Sequence, residues 1–71
     1  MLLMEPRRGD SIKIAQGAPL YRMDQDGGLI FSSTAPEPIL GMFVDYDKED
    51  HARIIISDLI RIVRIEDLRE V

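Results

Sequence analysis

His51 is the residue whose type best suits proton transfer. It follows Asp47, Glu49 and Asp50 in the sequence, and nearby carboxylates favour the charged, proton-donating form of an imidazole. Catalysis also needs a nucleophile or a second base, and the sequence places neither beside His51. We therefore predict that this segment is a solvated turn and that the chain is not an enzyme.

Asp45, Asp47 and Glu49 place carboxylates at the first, third and fifth positions of a calcium-loop pattern. The pattern then fails, because Asp50 stands where the loop needs glycine and Ile56 stands where it needs a bidentate glutamate. A solvated charged turn explains these acids better than a cation site does. We predict no bound metal and no cofactor.

Arginine and tyrosine supply the candidate interaction residues. These two types are enriched where protein interfaces concentrate their binding energy. In the other interpretation, the arginine heads are solvated while their stems cover the sheet. The candidate interface residues are Arg53, Arg61, Arg64, Tyr21 and Tyr46.

Length and charge limit what such a surface binds. Seventy-one residues form one small domain, residues 1–71, with residues 1–9 as a flexible arm. A core this small is marginal on its own, so we expect self-association or a protein partner.

A net charge of −4, from 13 acidic and 9 basic residues, disfavours nucleic acid as a partner.

The compartment is predicted from what the sequence lacks. It contains no cysteine, which fits a reducing environment. The first residues do not form a signal peptide, and no apolar run is long enough to span a membrane. We expect a cytoplasmic protein with no membrane partner.

The elements that position these residues are predicted to be strands. The core residues are mainly β-branched, with ten isoleucines. A turn at 24–28 and a charged turn at 45–51 separate apolar runs in hairpin order. Gly41, inside the apolar run 39–44, indicates a bulge, a bend or a close approach by a neighbouring strand.

The segment 57–68 is predicted to be a strand rather than a helix. Its apolar residues scatter around a helical circumference but alternate along an extended chain with one slip. We expect a short 3-10 turn at Ser57–Leu59 followed by a bulged strand. Together these elements predict an all-β fold, a five-stranded SH3-like barrel. A small OB-like barrel and a three-stranded sheet with swapped edges remain as alternatives.

Four short motifs carry a resemblance to a known group of proteins. They are Gly9-Asp10, Gly41-Met42-Phe43-Val44-Asp45, Ala52-Arg53-Ile54-Ile55-Ile56 and Glu66-Asp67-Leu68. In this order they resemble small phage-encoded SH3-like proteins, although this chain lacks tryptophan and has a longer first loop. The resemblance implies a viral accessory or particle protein, located in the host cytoplasm or the virion. It assigns no functional residues.

The sequence therefore predicts a non-catalytic protein-interaction module, a structural or accessory component of a phage particle or assembly. The alternative is a small modulator that binds nucleic acid, or a host enzyme of nucleic-acid metabolism, through the arginine and tyrosine residues.

Overall fold

The computed structural model describes residues 5–71 and shows an all-β chain. A single 3-10 helix, Ile65–Asp67, interrupts the strands of this part of the chain. The strands are β1 (Ser11–Ile14), β2 (Pro19–Met23), β3 (Leu29–Thr34), β4 (Ile39–Asp47), β5 (His51–Ile56), β6 (Leu59–Arg64) and β7 (Leu68–Arg69). The all-β prediction is confirmed.

The strands form one antiparallel sheet with the order β3-β2-β6-β5-β4-β1-β7. It contains seven strands rather than the predicted five. The part of the chain between β1 and β4 forms the β2–β3 hairpin, and the short β7 pairs with β1. Within residues 5–71, β3 and β7 end the sheet without pairing to each other, so the sheet is open.

The turn between β2 and β3 is organised by one aspartate. Asp24 Oδ1 accepts hydrogen bonds from the backbone N–H groups of Asp26 and Gly28, at 2.9 and 2.7 Å. Gly27 has a φ of 83°, which glycine adopts without a steric penalty. The hairpin predicted at this position is confirmed.

The 3-10 turn predicted at Ser57–Leu59 is wrong. Ser57 and Asp58 form a two-residue hairpin turn with φ values of 50° and 67°, the pattern of a type I′ turn. The 3-10 helix lies instead at Ile65–Asp67. The predicted bulge in the last long strand is also absent from the β5–β6 pairing, which keeps one register from end to end.

Two bulges lie elsewhere in the sheet. One interrupts the β2–β3 pairing between Leu20 and Tyr21, and the other interrupts the β4–β5 pairing between Phe43 and Asp45. Bulges bend a strand and increase its twist. The second bulge lies within the pairing of the nine-residue β4 with β5, just beyond Met42, which pairs with both β1 and β5.

The hydrophobic core lies against one side of the sheet. Its pairs include Ala52 with Val63 and Phe43 with Ile54, all buried. At Gly41, the side chain of Ile54 leaves no room for a Cβ atom. A Cβ at Gly41 would lie 2.6 Å from Ile54 Cγ2 and 3.0 Å from the Ile55 backbone oxygen. Of the three predicted alternatives at this glycine, the structure therefore shows the close approach.

Residues 1–4 of the predicted flexible arm 1–9 lie outside the described residues. At the other end of that segment the backbone is paired with β4. Gly9 N–H donates to Phe43 O at 2.9 Å, and Phe43 N–H donates to Asp10 O at 2.8 Å.

Candidate interaction surface

The side of the sheet opposite the core is here called the outer face. Successive side chains of a strand alternate between the two faces, so the buried pair Ala52–Val63 fixes the orientation of its neighbours. Arg53 and its partner Ile62 therefore belong to the outer face, and so does Tyr21, which pairs with Ile62 from β2. Ile62 is only 1% exposed, but it does not belong to the core cluster. Its absence from that cluster agrees with a position on the outer face.

The outer face carries large apolar side chains that remain open to solvent. Ile55 pairs with Met42 on one side and with Ile60 on the other, which makes an apolar row across β4, β5 and β6. Leu40 extends the row along β4, and its side chain is 63% exposed. The outer apolar face is defined by its five exposed residues, Met23, Phe31, Leu40, Met42 and Ile60.

Aromatic rings border this apolar row. The ring centroids of Tyr21 and Phe31 lie 6.1 Å apart with an interplanar angle of 77°. Tyr21 also meets the His51 ring edge-on, at 6.2 Å. Edge-to-face contacts of this kind stabilise the pairs beyond simple area burial, so Tyr21 packs against both Phe31 and His51.

Arg53 forms an ion pair within its own chain. Its Nε donates to Asp45 Oδ1 at 2.6 Å, and its Nη2 donates to Asp45 Oδ2. This two-pronged pairing lowers the pKa of Asp45 and raises that of Arg53, mainly through the hydrogen bonds between the two side chains.

Arg64 forms ion pairs with two carboxylates of the 3-10 helix that follows it. Its Nε donates to Asp67 Oδ2 at 2.8 Å, and its Nη1 lies 3.4 Å from Glu66 Oε1. The hydrogen bond to Asp67 raises the pKa of Arg64. Arg61 instead donates to the backbone oxygen of Ile60, at 2.9 Å.

The sheet register divides the five predicted interface residues. Arg53, Arg64 and Tyr21 lie on the outer face, whereas Arg61 pairs with the buried Ile54 on the opposite side. Tyr46 lies there as well, because it pairs with the buried Ala52.

Tyr46 is anchored on that opposite side by an aromatic contact. Its ring packs edge-on against Phe43 with centroids 5.1 Å apart. Burial raises the pKa of the Tyr46 hydroxyl. The predicted arginine and tyrosine residues thus do not form one continuous surface.

The acids near His51 do not assemble a metal site. Both oxygens of Asp45 are engaged by Arg53, and His51 Nδ1 lies 2.7 Å from Asp50 Oδ1. Asp47 Oδ2 is buried and has no hydrogen-bond partner within residues 5–71. Over the same residues, no three acidic or histidine side chains are grouped to hold a metal ion.

Sequence reasoning missed the outer apolar face. The signal was present in two runs that are apolar at successive positions, 39–44 and 54–56. A strand with apolar residues at successive positions places some of them on each face of the sheet. If one face has no covering layer, those residues are left in water.

The comparisons with known proteins add no relative. No protein-family model, curated protein or solved structure matches this chain. Among the residues that the structure describes, no helix has the length and hydrophobicity required to cross a membrane.

Proposed function

We propose that this chain is a non-catalytic protein-interaction module that binds a protein partner through the outer apolar face. One observation carries the proposal: five large apolar side chains lie exposed on one side of a single sheet. Contiguous exposed apolar surface marks interaction sites in soluble proteins. Tyr21, whose ring packs edge-on against Phe31, adds an aromatic residue of the type found at binding hot spots.

The arrangement of strands supports an SH3-like barrel as the underlying architecture. Within the sheet, β7-β1-β4-β5-β6 is a run of five strands that joins the first and last strands of the chain. A tight hairpin turn precedes β6, and one 3-10 turn precedes the final strand. This order fits the resemblance to phage-encoded SH3-like proteins, so we place the module in a phage particle or its assembly, in the host cytoplasm or the virion.

The arginines give less support to a nucleic-acid partner. Phosphate binding draws its free energy from basic groups that are free to replace counterions. Arg53 and Arg64 instead face carboxylates of their own chain, and the net charge is −4. We therefore favour a protein partner over nucleic acid or an enzyme of nucleic-acid metabolism.

Two neighbouring residues of β6 provide a matched test. Ile60 and Leu59 are 50% and 54% exposed, but the register places them on opposite faces. A photo-crosslinking phenylalanine analogue is introduced at each position in turn, and the adducts formed in the native host are identified by mass spectrometry. We expect protein adducts from position 60 and few or none from position 59.

The opposite result is equally clear. Equal labelling from both positions, adducts from position 59 alone, or nucleic-acid adducts from position 60 would overturn the proposed function. Circular dichroism of each purified variant verifies that the all-β fold is kept.

A further inference from the structure

Two basic residues lie directly opposite each other at the β1–β7 end of the outer face. The register pairs Lys13 of β1 with Arg69 of β7, next to the buried pair Ile14–Leu68. Because side chains alternate between the two faces, both basic side chains belong to the outer face. Like charges at directly opposite positions of an antiparallel pair destabilise it, so a carboxylate bound between them would relieve a repulsion.

The charges of this basic pair are not answered within the described chain. Arg53 and Arg64 meet carboxylates of their own chain, but Lys13 and Arg69 form no ion pair within residues 5–71. Residues 1–4 contain no acidic side chain. The basic pair is therefore available to an acidic group from another molecule.

The guanidinium of Arg69 is held by one edge. Its Nη1 donates to the backbone oxygens of Glu66 and Leu68, at 2.7 and 2.9 Å. The other edge, formed by Nε and Nη2, meets no carboxylate within residues 5–71. A carboxylate binds such an edge through two parallel hydrogen bonds. Arg69 is therefore able to bind a partner's acid without first leaving an acid of its own chain.

The basic pair borders the outer apolar face. Lys13 pairs with Arg69 on one side and with Leu40 on the other, and Leu40 is 63% exposed. Met42 follows on the same face of β4 and is also exposed. Neighbouring strands lie about 4.8 Å apart, so the row Arg69–Lys13–Leu40 spans about 10 Å, the length of about three residues of an extended segment.

We propose that Lys13 and Arg69 together bind an aspartate or glutamate of the protein partner, whose large apolar side chain packs against Leu40 and Met42. The partner segment thus carries its acid within about three residues of its apolar anchor. A polyphosphate chain would use the two basic groups but leave the apolar row in water, whereas an acidic and apolar segment uses both. The inference rests on the proposed function, since it names the partner's chemistry at the same face.

A peptide selection tests this partner chemistry. A library of short random peptides is selected for binding to the immobilised chain. We expect the selected peptides to combine Asp or Glu with a large apolar residue at a fixed spacing. In Lys13→Glu/Arg69→Glu, Lys or Arg should replace the acid, because the charge of the site is reversed. Peptides without acids from wild type, or acids retained by the double variant, would overturn the inference.

Arg22→Glu/Arg61→Glu is the matched control, with the same change in net charge. Both residues lie on the side opposite the outer face, because Arg61 pairs with the buried Ile54 and Arg22 is two residues from the buried Leu20 along β2. The control should select acidic and apolar peptides as wild type does. If it also loses the acids, the preference comes from overall charge and the inference is wrong. Circular dichroism verifies the fold of each variant.

Lys13→Glu alone tests the repulsion between the paired residues. It places a carboxylate opposite Arg69, so we expect a higher urea midpoint than in wild type. The same carboxylate competes with that of the partner, so the affinity for a selected acidic peptide should fall about tenfold or more. Unchanged affinity in this variant would contradict the inference whatever its midpoint.

The inference and the proposed function fail separately. The photo-crosslinker at position 60 is also introduced into Lys13→Glu/Arg69→Glu, where we expect a lower yield of protein adducts. Adducts retained at full yield there would leave the interaction module without this acidic specificity. Acidic peptides selected by the basic pair, without protein adducts at position 60 of the otherwise unchanged chain, would leave a carboxylate site without the proposed partner face.

Discussion

Each arginine of the predicted interface has an acceptor within its own chain. Arg53 meets Asp45, Arg64 meets Asp67, and Arg61 meets a backbone oxygen. The side chains of Arg53, Asp45 and Arg64 remain about two-fifths exposed. Exposed ion pairs of this type orient side chains more than they stabilise a fold. Their effect is to leave the outer face with less free positive charge than its arginines suggest.

The Asp45–Arg53 pair predicts a pH dependence on the acid side. Because Arg53 lowers the pKa of Asp45 in the folded chain, the contribution of Asp45 to stability is present above its unfolded pKa of about 3.9 and is lost as pH falls through the lower folded value. In Asp45→Asn we expect less loss of stability than in wild type between neutral pH and about pH 3. Urea unfolding at a series of pH values measures this.

Arg53→Gln serves as the control, because the lowered pKa requires both partners. It should flatten the acid limb of the stability curve as Asp45→Asn does. An acid limb that is unchanged in both variants would contradict the assigned pairing.

Gly41 is the residue at which packing leaves no room for a side chain. A Cβ there lies against the fully buried Ile54 and the backbone oxygen of Ile55. We expect Gly41→Ala to lower the free energy of unfolding by about 1–3 kcal/mol, as overpacking does. Denaturant unfolding measures the change.

Gly28→Ala is the matched control for Gly41→Ala. A Cβ at Gly28 meets only the side chain of Asp24, at 3.1 Å, and displacing it would weaken two exposed hydrogen bonds of the turn rather than the packing of the core. The cost at Gly28 should be smaller than the cost at Gly41. If the order of the two is reversed, the close approach between β4 and β5 is not what selects glycine.

At the scale of elements, the β5–β6 hairpin decides how the last part of the chain is arranged. Its two-residue turn requires positive φ at both Ser57 and Asp58, and this matches the twist of the flanking strands. The continuous register then places Val63 in the core and Ile62 on the outer face. Both side chains are buried, which explains why a simple alternation of polar and apolar residues fails there.

The same turn predicts a stabilising substitution. Asn-Gly is the preferred pair for two successive residues with positive φ. We expect the double variant Ser57→Asn/Asp58→Gly to gain about 0.5–2 kcal/mol of stability, measured by thermal and urea unfolding.

Valine at position 58 provides the opposing variant. A β-branched side chain opposes the left-handed conformation found at Asp58, so Asp58→Val should destabilise the protein. A destabilised Asn-Gly variant together with a neutral valine variant would contradict the turn geometry.

At the scale of the whole molecule, one sheet must serve both a core and an exposed surface. The core side is filled by alanine and larger aliphatic residues, together with Phe43, and all of them are almost fully buried. No second layer covers the outer side within residues 5–71, and the apolar residues there remain in water. A small domain gains from association because its own core is limited. The crosslinks at Ile60 test whether the molecule uses its outer face for this purpose.

The sequence by itself determined the class of the fold and most of its turns. β-branched runs separated by Asp-Gly, proline and charged segments are sufficient to predict strands and hairpins, because strand preference and turn chemistry act over a few residues. Gly41 was predicted to mark a bulge, a bend or a close approach, and only the pairing of β4 with β5 shows that it is a close approach. The turn at Ser57 was misassigned because two non-glycine residues with positive φ leave no mark in the sequence comparable to that of glycine.

The tertiary structure alone decided which residues share a face. Arg61 and Tyr46 lie opposite Arg53 and Tyr21 because of pairing registers and a bulge between Phe43 and Asp45. A shift of one residue moves a side chain to the other face, and apolar runs such as 54–56 do not specify which face is buried. The outer apolar face and the open β3 edge therefore became visible only when strands distant in sequence were paired.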